Sequence, residues 1–258
     1  MPLDAQLAMS ASTGDAAGVR DALARGADVG GRSNRRRTVL FWAFDAEIAR
    51  ILLDAGADCG ARDLNGETPI FESARQGRAD VLRVLTACGA GVSARDIRGN
   101  VPLSFAGTAA AARVLIGAGA SMEAVNLAGD SPLFAACGRP GNDPAAAALI
   151  AVGADIWSAN SAGETVLHRS SRAGRHDIAD ALVEAGAQPD SADIVGETPL
   201  MASLSRGVKW RDAKKVIVCL LAGGADPGIR ASDGKTAAEK AAAFGKRAAA
   251  RLLAKAGG

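Results

Sequence analysis

Two histidines, four cysteines and three tryptophans are the scarce reactive or anchoring residues of this 258-residue chain. His168 and His176 are too few for a histidine metal site or a catalytic triad, and no H-E-x-x-H string occurs. The cysteines are Cys59, Cys88, Cys137 and Cys219, spaced by 29, 49 and 82 residues, so none forms a C-x-x-C pair. They read as small apolar core residues of a protein kept in a reducing, cytoplasmic setting. D-G-K-T at Asp233 has the ending of a phosphate loop, but Ile229 stands where the first glycine is required and no strand precedes it. G-V-S-A-R at Gly91 departs from the nucleophile elbow at its last residue. The many acids fall at turn-forming sites. No catalytic constellation emerges, no cofactor or metal is expected, and the chain reads as a non-enzyme.

Recognition chemistry is better represented. Arginine outnumbers lysine 23 to seven, and every lysine lies at or after Lys209. A net charge of +2 argues against global capture of nucleic acid. Arg and Trp are the residue types most enriched in binding hot spots, and Arg grips carboxylates through two bonds.

Something must position these side chains, and the composition offers little core. Alanine accounts for 59 residues, while Leu, Ile, Val and Phe together number 55. That is barely enough large apolar surface for a conventional globule. No apolar run reaches membrane-span length, and M-P-L-D-A-Q-L-A-M-S does not resemble a signal peptide. The alanine content and the Arg excess suggest a bacterial source.

The answer is periodic. A Gly-Ala string recurs with its glycine at Gly26, Gly56, Gly89, Gly119, Gly153, Gly186, Gly224 and, degenerately, Gly257. Between these lie G-E-T-P-I at Gly66, G-N-V-P-L at Gly99, G-D-S-P-L at Gly129, G-E-T-V-L-H at Gly163, G-E-T-P-L at Gly196 and G-K-T-A-A at Gly234. Thr or Ser before Pro starts a helix, with the hydroxyl free to accept from an unpaired backbone N–H. That helix ends at Gly77 or Gly174. A second helix follows, with apolar residues at Val81, Leu82, Val84 and Leu85, or at Ile178, Leu182 and Val183. The Gly of Gly-Ala caps it, and an Asp-, Asn- and Gly-bearing stretch turns the chain into the next unit.

These strings resemble the ankyrin repeat, D-x-x-G-x-T-P-L-H followed by G-x-x-x-x-V-x-x-L-L-x-x-G-A-D, over roughly residues 4–257. The resemblance implies an all-α ankyrin-repeat solenoid of about eight helix-turn-helix units, with β-hairpin-type loops along one edge. It implies one domain over 1–258: an N-terminal cap at 4–30, repeats at 32–61, 62–94, 95–124, 125–158, 159–191 and 192–229, and a C-terminal cap at 230–258. It also implies a concave face of loops and first helices that binds proteins. Stacking asks only for nearest-neighbour burial, which explains how so few large residues suffice. Ala43, Ala74, Ala106, Ala136 and Ser170 fall at the close-packed site of the first helix. His168 matches the family's structural histidine; at that site elsewhere, Phe41, Phe71, Ser104, Phe134 and Met201 read as core packing.

The chain departs from the pattern in four units. Thr38 and Val101 precede their Gly-Ala glycine by only 18 residues instead of 21, so both units should have a shortened first helix. In the unit begun by Thr198, five extra residues fall within Ser205–Lys214. Another unit has a longer Pro/Gly-rich interhelical loop around Gly138–Pro144.

Mapped onto the binding face, the N-terminal half is dense in arginine. An acidic partner would be met by Arg35, Arg36, Arg37, Arg62, Arg75 and Arg98, with Asn65 beside them and with Trp42 and Phe105 as apolar anchors. The competing reading makes R-S-N-R-R-R a solvated loop and the two aromatics fillers of the shortened turns. Arg172 extends the face. Arg206 and Trp210, in the insertion S-R-G-V-K-W-R-D-A-K, form a second candidate beside a solvated loop with Trp210 folded onto the stack. Trp157 could add a further contact from its loop. The expected function is a protein–protein interaction module, monomeric and in contact with no membrane. An inhibitor, immunity or adaptor protein for a toxin, effector or enzyme is one alternative. A nucleic-acid binder using loops 32–37 and 206–215 is another.

Overall fold

The computed structural model describes residues 2–139 and 143–257. The chain divides into two compact units, Met1–Ala124 and Val125–Gly258, and the division falls between the expected repeats 95–124 and 125–158. The first unit holds α1 (Leu3–Thr13), α2 (Ala16–Ala24), a 3-10 helix at Val39–Trp42, α3 (Ala46–Asp54), α4 (Pro69–Arg75), α5 (Ala79–Ala87), a 3-10 helix at Pro102–Phe105 and α6 (Ala109–Gly117). The second holds α7 (Pro132–Cys137), α8 (Asp143–Ala151), α9 (Val166–Arg172), α10 (His176–Glu184), α11 (Pro199–Ala202), α12 (Trp210–Ala222), α13 (Ala237–Ala243) and α14 (Arg247–Ala256). The longer loop expected near 138–144 lies partly outside the described residues.

Each unit is a stretch of all-α solenoid in two rows. First helices stack on first helices: α1, Val39–Trp42, α4 and Pro102–Phe105 in one unit, and α7, α9, α11 and α13 in the other. Second helices do the same in the orders α2, α3, α5, α6 and α8, α10, α12, α14. The second helices share one burial pattern: Ile48, Ala49 and Leu52; Val81, Leu82 and Leu85; Ile178, Ala179 and Leu182; Val216, Ile217 and Leu220. Val84 and Val183, expected on the same stripe, sit at its half-buried margin. The alanine column is buried throughout, from Ala74 at 0% exposure to Ala136 at 3%. The Phe and Met column is buried too, which settles it as core.

The Gly-Ala string ends each second helix by a two-bond cap. Gly56 takes φ +92°, its N–H donates to Leu53 O, and the N–H of Ala57 reaches back to Leu52 O, each at 2.9 Å. This is the Schellman arrangement, in which the left-handed residue turns two orphan carbonyls into acceptors. It recurs at Gly26, Gly89, Gly119, Gly153, Gly186 and Gly224. Gly257 does not follow it: its φ is −98°.

The short units behave as their length requires. Three missing residues leave no room for an α-turn and a glycine cap, so the first helix collapses to one 3-10 turn. The link to the second helix then runs extended. The amides of Phe44 and Gly107 bond across to Ala11 O and Ala74 O of the preceding repeat, at 3.0 and 2.9 Å. Asp45 and Thr108 cap the helices that follow.

Three expectations need correction. The loops between repeats are not strand ladders: among the described residues the only bridge is the isolated pair Ala159 and Thr165. Each is a tight turn in which Asp63, Asp96, Asn126, Asn160 or Asp193 accepts backbone N–H groups two and four residues on. The insertion is not a projecting loop. It shortens α11 to four residues and extends α12 to 13, against nine in α10. The Thr hydroxyls of Thr38 and Thr68 do not cap their helices; both are buried and unbonded. At Thr165 the third helical residue is His168, whose Nδ1 lies 2.9 Å from the Thr165 hydroxyl. Phe41 and Phe71 occupy that position after Thr38 and Thr68 and offer no such atom.

Candidate protein-binding site

The first-helix face of the first unit is organised by the fold before any partner arrives. Arg37 sits at the end of its loop, 11% exposed, with Nε 3.0 Å from Asp63 and its two Nη atoms 3.3 and 3.4 Å from Glu72 and Glu67. Arg75, at the end of α4, bonds the same Glu67 and Glu72 at 2.5 and 2.6 Å. Two guanidinium groups thus face three carboxylates, and the cluster carries a net −1. Arg37 also lies over Phe41 and Trp42, and Arg75 over Phe105 at 4.7 Å. Phe105 packs edge-on against Phe71, with ring centroids 5.7 Å apart. Trp42 and Phe105 are half-buried, each roofed by an arginine. Trp42 and Arg37 border a cavity of about 250 Å³ against Leu7 and Ala8 of α1.

The loop edge is different. Arg35, Arg36 and Arg98 are exposed, and their guanidinium groups make no bond to the described residues. Arg36 has φ +60°, the one non-glycine residue with positive φ among those described. It occupies the place in its turn that Gly66 or Gly99 holds in the following loops, closing the turn with its N–H on Ser33 O at 2.7 Å. A side chain in this region costs roughly 1 kcal/mol or more. Arg62 is exposed but serves the stack: its Nη1 donates to Gly66 O and to Arg95 O, both at 2.8 Å. Arg32 makes the equivalent stitch to Arg36 O and Arg62 O. Asn65, exposed, accepts the N–H of Ile97 on its backbone carbonyl. Between these arginines, Leu64 and Ile97 stand 59% and 65% exposed at successive loop tips. The second unit repeats the theme at Leu127, Ile194 and Val195. The sequence already places these aliphatics in successive loops, with Leu64, Ile97, Leu127 and Ile194 each two residues before the turn glycine.

A family profile described as ankyrin repeats (3 copies) matches residues 7–96 and 103–193, more than half of the chain. The chain belongs to the ankyrin repeat family. Ankyrin repeats are generally protein–protein interaction modules and are typically non-catalytic. No curated protein matches the chain.

In the ankyrin repeats of the second unit, Arg172 is half-buried and bonds Glu164, repeating the pairing of Arg75 with Glu67. Arg169 lies over Phe134 at 5.4 Å. His168, fully buried, sets its Nδ1 3.1 Å from the Thr165 N–H and its Nε2 2.9 Å from Glu197 O, so one ring ties two repeats together. Burial holds its basicity below the ordinary value of 6.5. Arg206 and Trp210 are both exposed, Trp210 as the first residue of α12. Trp157 is 61% exposed, with its indole N–H on Gly186 O.

The cysteines divide. Cys137 and Cys219 are buried as expected, and burial together with Asp180 pushes the Cys219 thiol up to about 12. Cys59 and Cys88 are not core residues: Cys88 is exposed and Cys59 half-exposed, with its thiol 3.8 Å from Cys88 O. Cys59 lies in the turn that follows α3, and Cys88 is the C-cap residue of α5. Among the described residues no three His, Cys, Asp or Glu side chains converge on a metal-sized site, and no helix is long and apolar enough to cross a membrane.

Proposed function

We propose that this ankyrin protein is a non-catalytic cytoplasmic binding module that holds one protein partner along the loop edge of its first unit. The observation that carries this reading is the row of exposed Leu64 and Ile97 among the unbonded cations Arg35, Arg36 and Arg98. Apolar anchors ringed by arginine suit a protein surface with aliphatic pockets and acidic rims. Arg36 adds support, because a strained backbone keeps an arginine where glycine would fit better. Arg37, Arg75 and Arg62 are engaged within the protein, so their contribution is to rigidify the edge. Rigid loops lose less conformational freedom on binding. Such a module acts by covering or tethering its partner, as an inhibitor or an adaptor does.

Capture from lysate of the source organism, with identification by mass spectrometry, tests this. Arg35→Glu/Arg36→Glu/Arg98→Glu and Leu64→Asp/Ile97→Asp should each lose the specifically captured protein while keeping the wild-type melting midpoint. Retention of every specific partner by both variants refutes the loop-edge reading. Arg37 must stay intact in such variants, since its loss would unfold the site.

A further inference from the structure

The insertion that lengthens α12 creates a surface on the second-helix row of the second unit. Its extra N-terminal residues carry Trp210, and the outer stripe of the helix continues at four-residue steps through Lys214, Val218 and Ala222. Trp210 and Val218 are 41% and 49% exposed. Beside this stripe runs α10, and between them lies a groove of about 720 Å³ whose floor is Val218, Cys219 and Ala222. Arg211, Lys214 and Lys215 line the groove, and Lys215 Nζ lies 3.0 Å from His176 Nε2 across it. Asp180 is the acid among the lining residues. The thiol of Cys219 is held protonated by burial, so the floor is apolar and unreactive.

We propose that this groove binds an acidic amphipathic helix of a partner protein. Three features select that occupant. The stripe from Trp210 to Ala222 spans about 18 Å at 1.5 Å per residue, the length of a three-turn helix. Its floor is aliphatic, which suits Leu or Ile at i, i+3, i+4 and i+7 of an incoming helix. Its walls are cationic, which suits Glu and Asp on the flanks of that helix. A nucleic-acid strand would want successive aromatic platforms and no carboxylate in its path. Here a single indole is present, and Asp180 faces the groove. The surface belongs to the second-helix row of the second unit and shares no residue with the loop edge of the first, so the two binding readings stand or fall separately.

Fluorescence anisotropy with the full chain tests the proposal. The probe is an 18-residue labelled peptide with Leu on one helical stripe and Glu elsewhere. Two controls accompany it: a scrambled peptide of identical composition and a 15-nucleotide oligo-dT. The patterned peptide should bind at least tenfold tighter than the scrambled one. Val218→Asp and Lys214→Glu/Lys215→Glu should each weaken it at least tenfold. Arg113→Glu on α6 and the loop variant Arg35→Glu/Arg36→Glu/Arg98→Glu should change it less than twofold. If circular dichroism shows Val218→Asp misfolded, Ala222→Glu, also exposed, reads the same floor. Equal binding of the scrambled peptide, indifference to the floor variant or to the lysine reversal, or tighter binding of oligo-dT overturns the proposal.

Discussion

Replacing Arg37 by Ala should destabilise the first unit by about 3–4 kcal/mol, although the residue is one of a run of three arginines in a loop. Its guanidinium touches Asp63, Glu67 and Glu72, whose side chains are 2%, 6% and 11% exposed. Without it the cluster moves from net −1 to net −2, with Arg75 left to serve Glu67 and Glu72 and no guanidinium left on Asp63. Removing one partner of a buried ion pair costs about 3–5 kcal/mol, because a buried charge is stranded. Asp63 retains two backbone N–H donors, from Asn65 and Glu67, which places the effect toward the low end. The lost contacts with Phe41 and Trp42 add about 0.5–1 kcal/mol. Urea unfolding followed by circular dichroism measures the total. Because repeat arrays can open in parts, the early transition is the one to read. Arg35→Ala, two residues away and solvated, should change stability by no more than about 0.5 kcal/mol. Adding Glu72→Gln to Arg37→Ala should recover part of the loss, since it removes a stranded charge. If Arg37→Ala stays within about 1 kcal/mol of the parent, or if Arg35→Ala matches it, the cluster is not a buried electrostatic unit.

Four further outcomes follow from the same physics. Thr68→Val should be neutral or stabilising, since its hydroxyl is buried without a partner, whereas Thr165→Val should cost about 1–3 kcal/mol by stripping the contact to His168; chemical denaturation of both separates them. His168 is less basic folded than unfolded, so the unfolded chain binds more protons below its pKa. Stability should therefore be complete above about pH 6.5 and fall from there toward pH 5.5, and His168→Gln should flatten that slope in urea midpoints taken across the range. Gly186→Val, at φ +93°, should destabilise by at least about 1 kcal/mol, with an unchanged melting midpoint as the contrary result. Arg36→Gly should raise stability by about 1 kcal/mol while weakening partner capture, a split that calorimetry and the lysate experiment read separately.

The parts legible in the sequence are those fixed by local backbone demand. Gly56 and its counterparts could be read as left-handed caps because the φ they adopt is nearly closed to other residues. The collapse of Val39–Trp42 and Pro102–Phe105 could be read because three residues cannot be lost from a repeat of fixed height without losing a helical turn. The role of Arg37 could not, because its carboxylates lie 26 to 35 residues away and converge only when two repeats dock in register. Arg75 is different: its partners Glu72 and Glu67 lie only three and eight residues away in its own repeat, so that pairing was within reach of the sequence, whereas the exposed Arg98 has none among the described residues. The reach of α12 follows from Ala213, Val216, Ile217 and Leu220, whose buried spacing carries the helix back into the insertion. Gly207 and the charges around Trp210 have the composition of a loop, and burial of the apolar stripe overrides it.

The loop tips carry one more consequence. The N–H of Leu64 donates to Arg35 O, that of Ile97 to Asn65 O, and in the second unit those of Ser161, Ile194 and Ser232 donate to Ala128, Ala162 and Val195 O. Each of these amides is shielded only while its own repeat is docked on the one before. Deuterium uptake at each of these five amides therefore reports one interface. Ordering the five rates would show whether the protein comes apart by fraying inward or by opening at an internal seam, with no substitution.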